Sequence, residues 1–231
     1  MRLQAFLARS GAAPSRRKAE DLISAGRVTV NGEPVALGAK VSENDEVRLD
    51  GNVVALPKNH AYLALNKPAG HLTTMSDDRG RRTVADLMPD LPGLVPAGRL
   101  DFETTGLLLL TNDGVFAHRV THPSREVEKE YELTVKTPPS DAPLAALAAG
   151  PDLEDGPMLP PKLDETERTK TETTLRLAIH EGRNRIIRRA CAAVGLELLS
   201  LKRVRIGPVE LGDLAPGTHR PLTKNELEAL R

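Results

Sequence analysis

Tryptophan is absent from the 231 residues, cysteine occurs once, and only 2% of the chain is aromatic. A single thiol cannot close an intrachain disulfide, so the fold must be held by its core. Cys191 sits in Ala190-Cys191-Ala192-Ala193, an apolar setting in which a structural thiol is expected over a reactive one. The six histidines (His60, His71, His118, His122, His180, His219) form neither an HExxH helix nor a set with paired cysteines, so no metal is expected. No stretch approaches the roughly 20 consecutive apolar residues that a bilayer-spanning helix needs. The opening Met1-Arg2-Leu3-Gln4 leads into a charged amphipathic segment instead of an apolar signal core, which makes a cytoplasmic protein with no membrane partner the expectation.

Net charge is the other absence. The 32 Lys and Arg are matched by 32 Asp and Glu, and this zero, with so few aromatics, argues at first against a nucleic-acid partner. Taken by segment the balance breaks. Residues 1–30 carry six cations (Arg2, Arg9, Arg16, Arg17, Lys18, Arg27) against Glu20 and Asp21, a surplus of +4. Residues 181–205 carry seven (Arg183, Arg185, Arg188, Arg189, Lys202, Arg203, Arg205) against Glu181 and Glu197, a surplus of +5. The largest counterweight is the segment 140–172, with eight acids against three bases. Two basic clusters set against an acidic segment permit phosphate binding that the total conceals.

The first fifty residues read as one unit. Leu3, Phe6 and Leu7 follow helical spacing, and Gly11 supplies the left-handed residue that stops this helix. Ser15 is placed to cap a second helix, with Ala19, Leu22 and Ile23 on one face and Gly26 at its end. Arg27-Val28-Thr29-Val30 alternates as a strand, Asn31-Gly32 is a hairpin turn, and Glu46-Val47-Arg48-Leu49 suggests another strand. This helix-helix-hairpin pattern resembles the S4-type RNA-binding domain. The triplet Arg16-Arg17-Lys18 alone would be a solvated helix start. The resemblance makes Arg2, Arg9, Arg16, Arg17, Lys18 and Arg27 candidate RNA contacts, and cations in a first helical turn oppose the macrodipole at about 0.3–1 kcal/mol each.

Pro57-Lys58-Asn59 reads as a linker, which divides the chain into 1–56, a junction at 57–60, and a larger unit at 61–231. In the larger unit, extended runs are expected at 62–65, 94–97, 107–110, 131–135, 174–179 and 198–206. Helical patterns are expected near 83–88, 114–121, 142–149 and 185–194. Their irregular order predicts an α+β domain around a largely antiparallel or mixed sheet. Residues 150–173, rich in Pro, Glu and Thr, predict a solvated surface loop.

Chemistry concentrates in Gly98-Arg99-Leu100-Asp101-Phe102-Glu103-Thr104-Thr105-Gly106, where an acid lies between apolar runs that anchor a rigid turn. Asp101 alone would more often be a turn or cap residue. Asn112-Asp113-Gly114 opens a helix, so capping is expected there over catalysis. Three other segments occur in order around this one: LNKPAGHLTTMSDDRGRRTVADLMP (65–89), HPSREVEKEYEL (122–133) and EGRNRIIRRACAAVG (181–195). Together they resemble the RsuA-type family of bacterial ribosomal RNA pseudouridine synthases, whose members join an S4 domain to a catalytic domain. The resemblance spans nearly the whole chain.

The resemblance implies a site residue by residue. Asp101 matches the aspartate that reacts at the ribose to release uracil from its N1 link. Arg99 matches an arginine that helps expel the target nucleotide from its stack. Tyr131 matches the tyrosine that stacks on uracil, and Arg188 the basic residue paired with the aspartate. Arg183, Asn184 and Arg185 are assigned to the RNA backbone, and Lys67 to a turn without a catalytic role. The family often has Gln or Glu where Ile186 stands, so a contact made there is in doubt. The reaction is an isomerisation without redox change, so neither cofactor nor metal is implied. HPSREVEKEY, LEDGP and LKRVRIGPVEL look closer to the RluB-like branch, which implies a 23S rRNA stem-loop uridine and a monomeric enzyme. The alternatives are a 16S rRNA target, or a non-catalytic S4-domain ribosome assembly factor motivated by Ile186. A hydrolase would need a second positioned carboxylate, for which Glu103 is the near candidate.

If the first basic cluster meets phosphates, Arg17→Ala combined with Lys18→Ala should weaken RNA binding. It should also flatten the dependence of log K on log salt by roughly 0.7–0.9 for each phosphate left without its cation, with turnover of bound RNA similar. Titration at several salt concentrations checks this; an unchanged slope removes both residues from the interface.

Overall fold

A computed structural model describes residues 1–138 and 140–230. Helix α1 (Leu3–Arg9) stops at Ser10 and a left-handed Gly11, and α2 (Arg16–Ser24) stops just before a left-handed Gly26. Ser15 accepts a hydrogen bond from the Lys18 amide at 3.1 Å, as an N-cap residue should. Strands β1 (Val28–Val30) and β2 (Glu33–Pro34) form the hairpin. Asn31 and Gly32 both take positive φ (53° and 87°), the geometry that a tight two-residue turn demands. With β3 (Val47–Leu49) and β4 (Asn52–Val54) they make a four-stranded antiparallel sheet, ordered β2-β1-β3-β4. Leu3, Leu7, Ala19 and Val28 are fully buried between this sheet and the two helices.

The larger unit is built on one nine-stranded sheet. Its strands are β5 (Tyr62–Lys67), β6 (Val95–Ala97), β7 (Thr105–Thr111), β8 (Lys129–Lys136), β11 (Lys162–Arg168), β12 (Glu172–Ile179), β13 (Leu198–Ile206), β14 (Val209–Glu210) and β15 (His219–Pro221). A separate two-stranded hairpin pairs β9 (Asp152–Leu153) with β10 (Gly156–Pro157). The main path runs β11-β12-β8-β13-β7-β5-β15, with β14 on β13 and β6 on β7. Every described pairing between these strands is antiparallel except β7 with β13, where Thr105 and Gly106 lie beside Lys202 and Arg203. Four helices complete the unit: α3 (Gly114–Thr121), α4 (Ala142–Ala149), α5 (Ile186–Ala193) and α6 (Lys224–Ala229). One face of the sheet packs Leu133, Leu175, Leu177, Ile187 and Ala190; the other packs Leu107, Leu109, Phe116 and Val209. The architecture is α+β on a mixed sheet. No helix among the described residues is long and apolar enough to cross a membrane.

One expectation needs correction. Residues 150–173 are not a loop, because they contain β9, β10 and the edge strand β11. Lys162–Arg168 (KLDETER) is polar on both faces and mostly exposed, so it lacks the apolar alternation by which a half-buried strand is recognised. Helix α6 was also unforeseen, although Thr223 and Glu226 form a reciprocal capping box that Thr-Lys-Asn-Glu spells out. Asp113 does cap α3, accepting from the Val115 and Phe116 amides. Cys191 is buried, and burial pushes its thiol up to about 11, which suits a structural residue.

The two units meet through backbone. Gly93, with φ 69°, lies so close to the Arg9 carbonyl that a Cβ would clash with it, and Gly11 approaches Pro92 and Gly93 in turn. Asn112 fastens the junction: it accepts from the Ala61 amide at 2.9 Å and donates to the carbonyls of Asn59 and Pro92 at 3.3 Å each. Because 92–93 leads through β6 into Gly98–Asp101, this joint places the basic helices relative to the turn that carries the acid. Gly93→Ala is expected to loosen the joint, since both its φ and the missing space exclude a side chain. Cleavage in segment 57–60 by limited proteolysis should then rise about tenfold or more, while each unit keeps its far-UV spectrum. Unchanged cleavage would contradict the role of this close approach.

Candidate active site

Asp101 projects from a turn that is tied down on both sides. The Leu100 amide and carbonyl both bond the buried Thr73 hydroxyl, at 3.2 and 2.7 Å. The Phe102 carbonyl accepts from the Gly70 amide at 2.9 Å, and the Thr104 amide donates to the Asp101 carbonyl at 3.1 Å. Beneath the turn lies Lys67, whose ammonium is fully buried and donates to the carbonyls of Pro68, Phe102 and Thr104 at 3.0, 3.2 and 2.9 Å. Three carbonyl dipoles converging on one cation hold the loop in a single shape, the kind of support that keeps a reacting group in place. Lys67 therefore does more than occupy a turn. Its short sequence context, Asn66-Lys67-Pro68, carried no sign that the side chain turns inward.

The Asp101 carboxylate is 28% exposed and faces two guanidinium groups. Arg188 Nε lies 3.7 Å from Asp101 Oδ2, and Arg185 Nη1 lies 4.0 Å from the same oxygen. Both distances are too long for hydrogen bonds and short enough for strong charge interaction. The two cations thus orient the carboxylate while its lone pairs stay available. Arg188 is held in turn by Thr104, to whose hydroxyl its Nη2 donates at 3.2 Å. Arg185 takes a left-handed conformation (φ 49°) at the start of α5, an unusual state for a non-glycine residue. Asp101 and Arg188, 87 positions apart in sequence, meet because α5 packs beside the turn.

These groups open onto a cavity of about 360 Å³. Arg99 is exposed at its rim, and Tyr131, 9% exposed, stands on its floor beside Leu201 and Ile179. The cavity therefore joins a carboxylate, flanking cations and one aromatic face. Ile186 is buried at the start of α5 and packs in the core, so the residue at this position is a packing element. Glu103 is exposed; Glu181 lines the cavity, but its oxygens accept from the Leu159 amide and from Arg183.

Residues 61–193 match the RNA pseudouridylate synthase family, and residues 1–47 match the S4 domain. The chain belongs to the RNA pseudouridylate synthase family. It is 42% identical over 234 residues to the ribosomal large subunit pseudouridine synthase B of Bacillus subtilis, spanning all of this chain and 95% of that protein. An uncharacterized RNA pseudouridine synthase of Mycobacterium leprae is 45% identical over 236 residues, spanning all of this chain and 92% of that one. A crystal structure of a pseudouridylate synthase covers the whole of both chains with a TM-score of 0.70 and 34% identity. As an RNA pseudouridylate synthase with an S4 domain, the protein is an enzyme that acts on uridine in RNA.

In this pseudouridylate synthase the candidate RNA contacts separate into free and committed cations. Arg2, Arg16, Arg17 and Lys18 are exposed and Arg9 is half-buried. Lys18 has only a weak pair with Asp21 at 3.7 Å, whereas Arg27 is held by both oxygens of Asp50. Asn184 and Arg185 are exposed beside the cavity. Arg183 is different: its three nitrogens donate to Glu181, to Asp155 and to the Gly156 and Pro157 carbonyls. It clamps the β9–β10 hairpin. Arg189 joins Arg183 on Asp155, and Arg205 is paired with Glu128 and Glu130, so much of the second basic cluster is neutralised within the fold. Besides Lys67, sequence reasoning missed Thr73, Lys129 and Arg203 as parts of the site.

Burial pushes the Lys67 ammonium down from 10.5 to about 8, with Glu103 and Asp101 opposing that shift. Between about pH 8 and pH 10.5 the unfolded chain therefore binds more protons at this residue than the folded one, and its contribution to stability rises with pH. Denaturant midpoints across that range should show the wild type gaining on Lys67→Met as pH rises. A constant difference between the two would mean that Lys67 does not titrate there.

Proposed function

We propose that this protein converts a specific uridine of 23S rRNA to pseudouridine, in a cytoplasmic, cofactor-free reaction carried out by a monomer. In this reading residues 1–56 grip RNA, 57–60 connect, and 61–231 perform the chemistry. The observation that carries it is the Asp101 carboxylate, charge-paired with Arg185 and Arg188 without a hydrogen bond, above a cavity floored by Tyr131. The large-subunit target is supported by the likeness to the Bacillus subtilis enzyme, and to a protein of the same printed name in Xylella fastidiosa that is 41% identical over 244 residues, spanning all of this chain and 50% of that one.

The reaction moves uracil from an N1 to a C5 link on the same ribose. A base inside a duplex cannot reach this cavity, so the nucleotide must be extruded, and Arg99 at the rim is placed to fill or contact the gap. The extruded uracil stacks on Tyr131. Asp101 acts at the ribose, either bonding to C1′ or removing the C2′ proton, and the C1′–N1 pair departs with the base. Arg188 and Arg185 orient Asp101 electrostatically for that step. The detached base turns, C5 attacks C1′, the C5 proton leaves and N1 gains one. Atoms and electrons balance with no net redox change. Among the described residues no free second carboxylate is placed to activate a water as a hydrolase requires, which favours rejoining over capture by water. The exposed Arg2, Arg16, Arg17 and Lys18 and the half-buried Arg9, together with Asn184 and Arg185, bind the RNA backbone.

Asp101→Asn preserves the turn and removes the charge. Primer extension after carbodiimide treatment of rRNA from a deletion strain should show one missing 23S mark that the wild type restores and Asp101→Asn does not. Turnover in vitro should fall about 10³-fold or more, with RNA binding retained. Restoration of the mark by the variant would sink the mechanism, and a missing mark in 16S rRNA would move the target.

A further inference from the structure

The floor of the cavity carries two cations that these steps leave unused. Arg203 on β13 and Lys129 on β8 line it together with Tyr131. Arg203 lies directly across the strand pair from Tyr131, and Lys129 is two residues before Tyr131 on the same strand, so all three share one face of the sheet. Arg203 is 4% exposed. Its Nε donates to the Leu107 carbonyl at 2.8 Å, and its Nη2 is buried with no hydrogen-bond partner. Among the described residues Lys129 donates only to the Val127 carbonyl, and desolvation, followed by the nearness of Arg203, lowers its pKa.

Neither cation forms an ion pair among the described residues. The carboxylates around them are engaged elsewhere: Glu128 and Glu130 with Arg205, Glu181 with Arg183, Asp101 with Arg185 and Arg188. A buried cation with an unmade hydrogen bond is costly, and a second cation beside it adds to that cost. An electron-rich acceptor entering the cavity would relieve both. Phosphates are better met at the rim, where Arg99 and Arg185 are exposed. Around Arg203 the walls are Tyr131, Leu201, Ile179 and Ile206, which suit the plane of a heterocycle.

Resting on the reading of this cavity as the uracil site, we propose that Arg203 and Lys129 bind the carbonyl oxygens of the extruded base and stabilise the anion it becomes when its glycosidic bond breaks. When C1′–N1 cleaves, its electron pair stays on the base and spreads from N1 onto O2 and O4. Donors fixed in advance around those oxygens lower the barrier to departure without reorganising. They also keep the base bound while it turns from N1 to C5, because O2 and O4 can exchange places between the two donors.

Full-length protein and unmodified 23S rRNA transcripts made with uridine, 2-thiouridine or 4-thiouridine test this. Pseudouridine is measured by digestion and chromatography under single turnover, and RNA affinity by filter binding. Arg203→Met should slow conversion of uridine RNA about 10²–10³-fold, with affinity nearly unchanged. Arg203→Lys, which keeps a cation, should recover part of that loss. A thiocarbonyl accepts hydrogen bonds poorly, so the gap between wild type and Arg203→Met should shrink on the RNA whose bound oxygen is replaced. Lys129→Met should show the same pattern more weakly, and it carries the test if Arg203→Met does not fold. Wild-type rates in Arg203→Met and Lys129→Met would overturn the proposal. So would a loss explained wholly by RNA affinity, as for a phosphate contact, or one equal on all three RNAs. Wild-type protein that forms no pseudouridine would instead overturn the underlying reading and this one with it.

Discussion

The close crossing of β7 and β13 is the feature on which the rest of the catalytic unit depends. Gly106, with φ 98°, lies against the backbone of Arg203, and a Cβ there would clash with the Arg203 carbonyl oxygen. Glycine at this point lets the two strands run in parallel and joins β5, β6 and β7 to β8, β11, β12 and β13 in one sheet. Everything in the site is measured from that join. The Asp101 turn leads directly into β7, Arg203 leaves β13 at the same level, and Tyr131 stands one strand further on. The distance between the acid and the floor of the cavity is therefore set by the sheet together with the turn tied down over Lys67.

Around this join, charge is organised by burial. Lys67 sits at zero exposure under the Asp101 turn and collects three backbone carbonyls; Arg203 is almost as buried and collects one. Arg188 and Arg185 stand off from Asp101 without bonding it. Placing ammonium and guanidinium groups in low-dielectric surroundings is unfavourable unless they are paired or hydrogen-bonded, so the fold accepts a local cost where the chemistry needs positive potential. Such concentrations of desolvated charge are what a functional site looks like in physical terms.

The zero net charge takes on a different meaning in this light. One acid of the segment 140–172 is not a distant counterweight, because Asp155 receives Arg183 and Arg189 and thereby fixes the β9–β10 hairpin beside α5. What remains positive is sorted by place: Arg2 and the exposed cations of α2 on one unit, and Arg99 and Arg185 at the cavity rim on the other. The backbone approach of Gly11 to Gly93 and the clasp of Asn112 hold these two groups in a common frame. Scarcity of aromatics fits the proposed function as well, in which one tyrosine would serve one extruded base.

Short-range physics was legible in the chain. The Asn31-Gly32 hairpin, the Ser15 and Asp113 caps, the glycine stops at 11 and 26 and the leucine run of β7 are set by residues within a few positions of each other, and they read directly. The turn carrying Asp101 could also be found, because its motif is contiguous. What only tertiary structure decided is which charges meet. Lys67 reaches Thr104 across 37 positions, Arg188 reaches Thr104 across 84 and Arg203 reaches Leu107 across 96. Composition places seven cations between 181 and 205, yet it cannot say that Arg183 clamps a hairpin, Arg203 is buried and Arg185 faces solvent. The edge strand β11 was missed for a related reason: with both faces polar, only its pairing with β12 makes it a strand. Local sequence sets dihedral preferences and apolar period, whereas the partner of a buried polar group depends on how the sheet closes.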